Sequence, residues 1–293
     1  MSESSVLYDA PGPRARRRNR ALAVAIVAVI IAMGGWVLWQ FSTKGQLTEA
    51  KWHPFLTANL WTTYVLPGAV GTLTAAVVSI VLALALGMAL GMGRLSDTRA
   101  LRWTCSVVVE FFRAVPVLIM MLFAYFLYAL YDVLPSRQLA LAGVITGLTL
   151  YNGAVIAEIV RAGVYALPRG QREAAVALGL RPGQALRLIL LPQAVTSMLP
   201  VLVSQMVVVL KDTAIGYQIT FVEMVRQGTN IGAAYGNYIP ALIVIAALMI
   251  SLNFALSMLA TRLEARLRQS RRRPAPLPAK AAVQEDAPGT PAV

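Results

Sequence analysis

LPRGQREAAVALG (residues 167–179), followed by LRPGQALRLILLP (residues 180–192), interrupts two long apolar runs and carries the densest local signals in the chain. Pro168 suits the first turn of a helix, where an N–H has no partner to lose. Glu173 falls in or near the first turns, where negative charge is favoured. Gly179 fits the left-handed position that closes a helix. Pro182 then opens a second short helix, and Pro192 is expected to mark its limit. The segment therefore predicts a helix-turn-helix at a membrane surface. Ala174, Ala175 and Leu178 give its first helix a small, shallow apolar patch. A helix resting on lipid would carry bulky Leu, Phe or Trp there. The patch suits insertion into a groove on another protein.

On either side of this loop lie the apolar runs. They occupy residues 21–39, 66–93, 104–131, 138–157, 193–210 and 238–260. Each is near the length that crosses roughly 30 Å of hydrocarbon. The whole chain is 58% hydrophobic and 13% charged, against about a quarter charged in a soluble domain. The expectation is an all-α, polytopic membrane helix bundle of about six transmembrane helices. The first run follows Arg14, Arg16, Arg17, Arg18 and Arg20, as a signal peptide would. It is longer than an h-region of about 7–15 residues, and it ends in Trp36 and Trp39, an interfacial anchor. It reads as a retained span.

The basic residues set orientation. With the N-terminus inside, the inner segments are 1–20, 94–103, 161–192 and 261–293. They hold Arg94, Arg99, Arg102, Arg161, Arg169, Arg172, Arg181 and Arg187 besides both basic ends. The outer segments hold Lys44, Lys51, Arg137, Lys211 and Arg226. This asymmetry places both termini in the cytoplasm and requires an even number of spans. It also accounts for the net charge of +13 without a nucleic-acid partner. Four segments follow: a basic cytoplasmic stretch (1–20), a first span with its external loop (21–65), the main transmembrane domain (66–265) with the polar loop at 165–192, and a cytoplasmic tail (266–293). The tail is rich in Arg, Pro and Ala and is expected to be disordered. Arg271, Arg272 and Arg273 can meet anionic lipid or act as a stop-transfer signal.

Catalytic and metal chemistry find little support. Cys105 and His53 are the sole residues of their kinds, and neither belongs to a ligand cluster. Cys105 reads as a small apolar residue within a helix, and His53 as a solvated or interfacial one. In the second span Ala75, Ser79, Ala83, Gly87 and Gly91 recur every four residues. They make a ridge of small side chains for close helix packing.

The polar loop also resembles a known motif. Glu173-Ala174-Ala175, then Gly179, then Ile189-Leu190-Leu191-Pro192 matches the EAA motif of ABC importer permeases throughout its spacing. Three further segments resemble the polar amino-acid branch of that family. They are Glu110-Phe111-Phe112-Arg113-Ala114-Val115-Pro116, then Asn152-Gly153-Ala154 with Ala157-Glu158-Ile159-Val160-Arg161-Ala162-Gly163, and Leu210-Lys211-Asp212-Thr213-Ala214. Ala114 and Ala162 depart from an expected Gly. The likeness covers roughly residues 66–265 and is nearest to actinobacterial glutamate permeases.

The resemblance implies a type I ABC importer permease fold in a bacterial cytoplasmic membrane. It implies two permease subunits (a paralogue or a second copy), two ABC ATPase subunits and an extracellular amino-acid-binding protein. Glu173, Ala174, Ala175, Leu178 and Gly179 would couple to the ATPase. ATP and Mg would bind there, and this chain would carry no cofactor. In agreement, no Lys here follows a Gly, as a P-loop requires. Glutamate or aspartate is the expected cargo, with glutamine, arginine, histidine or cystine as alternatives. An ion-coupled secondary transporter would show internal repeats with broken helices, and the halves of this chain show none. A membrane-embedded enzyme would need a nucleophile–base or metal set inside the spans. Candidate pathway residues are Arg113, Pro116, Asn152, Glu158, Arg161, Ser204, Gln205 and Lys211. Intramembrane charges are often functional. Glu110–Arg113 and Glu158–Arg161 could equally be local i,i+3 pairs. Ser204, Gln205 and Asn253 could line the path or bond between helices.

Overall fold

A computed structural model describes residues 12–271. Among them there is no strand. The helices are α1 (Pro13–Thr43), α2 (Glu49–Trp52), α3 (Ala58–Leu60), α4 (Leu66–Arg94), α5 (Arg99–Ala114), α6 (Val117–Leu130), α7 (Ser136–Tyr165), α8 (Arg169–Ala177), α9 (Pro182–Ala185), α10 (Leu191–Asp212), α11 (Met224–Tyr235) and α12 (Tyr238–Arg271). Helical segments at Ala58–Arg94, Ser136–Tyr165, Pro182–Ile219 and Tyr238–Arg262, together with α1, are long and apolar enough to cross a membrane. The α5–α6 pair gives a sixth span if taken as one. The expected helical membrane bundle is what the chain forms.

Several expected boundaries move. The apolar stretch at 104–131 is not a straight span: α5 and α6 are bent by 100° at their junction. Val115 is extended there, as the residue before a proline prefers, and Pro116 cannot continue the hydrogen-bond ladder. Pro192 does not end a helix. It lies just inside α10, which continues from a π-helical turn at Leu186–Leu190. In that turn the Leu191 N–H reaches the Leu186 carbonyl, so the helix has already left its α register when Pro192 arrives. α1 begins at Pro13, so much of the basic stretch assigned to 1–20 is helical. α12 runs to Arg271, so residues 266–271 belong to a helix, and the remainder of the expected disordered tail lies outside the described residues.

The chain divides into two compact units. One comprises Met1–Ser79, Val117–Gly147 and Leu210–Ser251. Its core gathers Leu60, Val65, Met224, Ile231, Ala241 and Ile245. Here α4 meets the chain before α11 at backbone distance: a Cβ on Gly71 would collide with the Val222 carbonyl oxygen. Glu223 caps α11 and is fully buried. Its carboxylate accepts from the Val225 and Arg226 N–H groups at 2.8 and 2.6 Å. Burial pushes its pKa up to about 7, against those two N–H groups and the nearby Arg226, which lower it.

The other unit comprises Ile80–Pro116, Leu148–Val209 and Leu252–Val293. Its core includes Ala83, Ile156, Val160 and Leu202. The small-residue ridge of α4 works here as read. A Cβ on Gly87 would lie 2.6 Å from the Ile156 Cβ, and one on Gly91 3.0 Å from the Val160 Cβ. The glycines let α4 and α7 approach until backbone and β-branched side chains interlock. Cys105 is buried in α5, as expected.

Candidate functional site

The polar loop folds as its prolines and glycine dictate. α7 ends at Tyr165, Pro168 caps the start of α8, and Leu178 caps its end. Gly179 takes φ +73°, a left-handed conformation that costs other residues roughly 1–2 kcal/mol. The Gly179 N–H donates to the Val176 carbonyl at 2.9 Å, and the Leu180 N–H to the Ala175 carbonyl at 3.2 Å. This pair of bonds is the Schellman closure of a helix. Pro182 opens α9 one turn later. Gln193 of α10 donates to Gln171 of α8 at 3.0 Å and ties the returning chain to the loop.

The exposed face of α8 differs in one residue from the expected patch. Ala175 is fully buried and holds α8 against its own unit. Ala174 and Gly179 are exposed, as are Leu178 and Val176 at 76% and 61%. A side chain the sequence pairs with Ala174 thus points inward, and Val176 takes its place on the surface. Beside α8 lies an open cavity of about 870 Å³. Tyr165, Leu167, Arg172, Glu173, Val176 and Leu186 contribute to its walls.

A second constellation lies in the same unit, where α4, α5 and α7 meet. Arg94, at the end of α4, is 8% exposed and bridges two helices. It donates to Glu158 of α7 at 2.7 Å and to Glu110 of α5 at 3.0 Å. Arg161 grips Glu158 through two bonds, at 2.6 and 3.1 Å. Arg161 also stacks over the Tyr165 ring at 5.4 Å, which joins the cluster to the wall of the loop cavity. Arg113 lies 3.6 Å from Glu110 and 3.9 Å from Glu158. Both i,i+3 pairs of the sequence exist, but Arg94 merges them into one network across three helices.

Further along α7 and α10, Asn152 is fully buried. Its Nδ2 donates to the Leu148 carbonyl at 2.9 Å, and its Oδ1 accepts from Gln205 at 2.7 Å. This is a cross-helix polar pair inside apolar spans. Ser204 bonds back to the Pro200 carbonyl at 2.9 Å on an exposed face. Lys211 is exposed and belongs to the other unit. Of the candidate pathway residues, the structure brings together Arg113, Glu158 and Arg161, and separately Asn152 and Gln205. Pro116 stands at the α5–α6 break.

Sequence reasoning misses Arg94 and Glu223. Arg94 reads as loop charge, yet it follows Gly91 by three residues and so continues the packing ridge toward α7. Glu223 carries no local sign of burial beyond its place before a helix.

Comparison with known proteins places this architecture. Residues 83–269 match the family described as the binding-protein-dependent transport system inner membrane component. The glutamate transport system permease protein GluD of Corynebacterium glutamicum is 54% identical over 232 residues, covering 79% of this chain and 85% of that protein. The glutamate/aspartate import permease protein GltK of Escherichia coli O157:H7 is 29% identical over 208 residues, covering 69% and 93%. Among solved structures, an amino acid ABC transporter with histidines aligns with a TM-score of 0.64 at 28% identity, over 72% of this chain and 98% of that one.

Proposed function

Because the chain belongs to the inner membrane component family of binding-protein-dependent transport systems, we propose that it is the permease subunit of an ATP-driven importer for an acidic amino acid. Glutamate or aspartate is the cargo, carried into the cytoplasm. The observation that carries this reading is the 54% identity to a glutamate permease over 79% of the chain.

The parts take the following roles. α8 docks on a separate ATPase subunit, which binds ATP and Mg. Glu173, Ala174, Leu178 and Gly179 make the contact, with Val176 beside them and Ala175 anchoring the helix from within. Two permease subunits, identical or paralogous, enclose the path, and an external binding protein delivers the cargo. Both termini lie in the cytoplasm. ATP-driven closure of the ATPases moves α8, and the bundle passes between two packings. Arg113, Glu158 and Arg161 line the path near the coupling loop, with Pro116 as its flexure. Gln205, Ser204 and Lys211 line the remainder, with the fully buried Asn152 holding Gln205 in place.

Uptake of labelled glutamate by cells expressing the transporter tests this. Wild-type cells are expected to accumulate glutamate, with unlabelled aspartate competing and arginine, histidine and cystine competing poorly. Gly179→Asp is expected to abolish uptake and the copurification of the ATPase together. Normal copurification with that variant sinks the coupling assignment. Uptake of a basic or neutral amino acid instead of glutamate sinks the cargo assignment and leaves the architecture standing.

A further inference from the structure

α8 is a helix of nine residues, of which Ala175 is buried and every other is exposed. A helix so short is marginal in water without packing. Its own unit holds it through Ala175 and through the 3.0 Å bond from Gln193 to Gln171. At about 100° per residue, the exposed side chains divide between two sides. Ala174 and Leu178 fall on one. Arg169, Arg172, Glu173 and Val176 fall on the other, where they wall the open cavity of about 870 Å³. Leu95 and Asp97, in the connection from α4 to α5, supply a wall from outside the loop, and Leu186 supplies another. Glu173 and Val176 thus belong both to the ATPase contact assigned above and to the cavity, so a partner seated on them reaches its mouth.

We propose that this cavity is a second socket for the ATPase, entered by an apolar loop tip or helix end of that subunit, so that α8 is gripped from two sides. The proposal rests on the docking of α8 assigned above. The chemistry of the walls fits a protein occupant. Leu95, Val176 and Leu186 are apolar, and two guanidiniums (Arg169, Arg172) stand with two carboxylates (Asp97, Glu173). An apolar anchor in a pocket ringed by polar groups is the arrangement of a protein–protein contact. The headgroup of an anionic lipid would meet two repelling carboxylates there, whereas a protein loop carries an acid and a base beside its apolar tip. The second grip has a mechanical consequence. A helix touched on one side is pushed by its partner and not drawn back. A partner in contact with Leu178 on one side and Val176 on the other moves α8 in both directions of the cycle.

The complete complex, with ATPase and binding protein, is prepared in membranes with a photo-reactive benzophenone amino acid in place of Asp97, Leu167 or Ala174. Asp97 and Leu167 belong to the cavity wall and lie outside α8, and Ala174 lies on the opposite side of that helix. Illumination is expected to join the ATPase to this chain from all three positions. A product at Ala174 with none at Asp97 and Leu167 overturns the proposal and leaves the docking of α8 standing. Products at the two cavity positions that contain lipid or residues 272–293 of this chain, and no ATPase, overturn it equally. No ATPase product at any position removes the docking of α8 and the proposal with it. Retention of the ATPase on affinity purification gives a second readout. Asp97→Arg reverses a wall charge without touching α8 and should weaken retention about ten-fold, with glutamate uptake falling alongside. Ala100→Arg, exposed on α5 and outside the cavity wall, should leave both unchanged. Undiminished retention in Asp97→Arg counts against the socket as the missing cross-links do, and overturns it.

Discussion

Gly179 shows how one backbone angle can fix the end of a helix. At φ +73°, with no atom within 4 Å of the place a Cβ would occupy, the position rejects side chains for conformation and not for space. Gly179→Ala should destabilise the loop by about 1 kcal/mol and weaken retention of the ATPase on affinity purification. Gly183→Ala, also in open space but without positive φ, is the matched control and should retain it fully. Arg94 makes the opposite case, a residue held by partners. Arg94→Gln leaves two carboxylates without their buried partner and should cost about 3 kcal/mol, read as a lowered Tm of the purified protein. An unchanged Tm would show the network to be ornamental. Gly179 is legible in the sequence because its neighbours in the chain define its task. Arg94 is not: its partners lie 16 and 64 residues away, and an arginine after an apolar run reads equally well as loop charge. Ala175 is half legible, since an Ala-Ala pair tells that a face is small but not which Ala faces in.

Among the elements, α4 and α7 are the most readable, because a four-residue repeat of small side chains states its own packing. Gly87→Val should force the two helices apart, given a Cβ already 2.6 Å from Ile156. A loss of about 1–3 kcal/mol is expected, seen as poor yield and early thermal unfolding. The α5–α6 break and the π-turn before Pro192 are harder. A proline signals that a ladder must adjust, and only the surrounding packing decides whether the helix bends or slips register. The cap of α11 adds a pH dependence. Glu223 has its pKa raised to about 7 in the folded protein, against about 4.3 for an unperturbed Glu. The folded state therefore holds a proton that the unfolded chain releases between those values. Stability should be greatest below about pH 4.3 for this group, fall as pH rises toward 7, and stay reduced above. Glu223→Gln should flatten that part of the Tm–pH profile between about pH 5 and pH 8. A slope of wild-type size in the variant would assign the dependence to another group.

For the whole molecule, the apolar runs and basic loops reveal a membrane bundle directly, since bilayer thickness limits helix length. Assembly into two units is beyond the sequence, because the long helices α4, α7, α10 and α12 each contribute to both. α1 stands apart: none of its residues is buried. A variant lacking residues 1–43 should still copurify the ATPase, while its new N-terminus becomes reachable by membrane-impermeant thiol reagents once a cysteine is added there. Loss of the ATPase would show that α1 supports the transport domain. The uneven burial of the arginine cluster extends beyond any single substitution. Charges in contact with water feel dissolved ions over about 8 Å at physiological ionic strength, and buried pairs are screened far less. Arg113 at 38% exposure sits in the first regime and Arg94 at 8% in the second. Added salt should therefore loosen the contacts of Arg113 with Glu110 and Glu158 while leaving the bonds of Arg94 closed, so that the three helices stay pinned at one point and slacken at another.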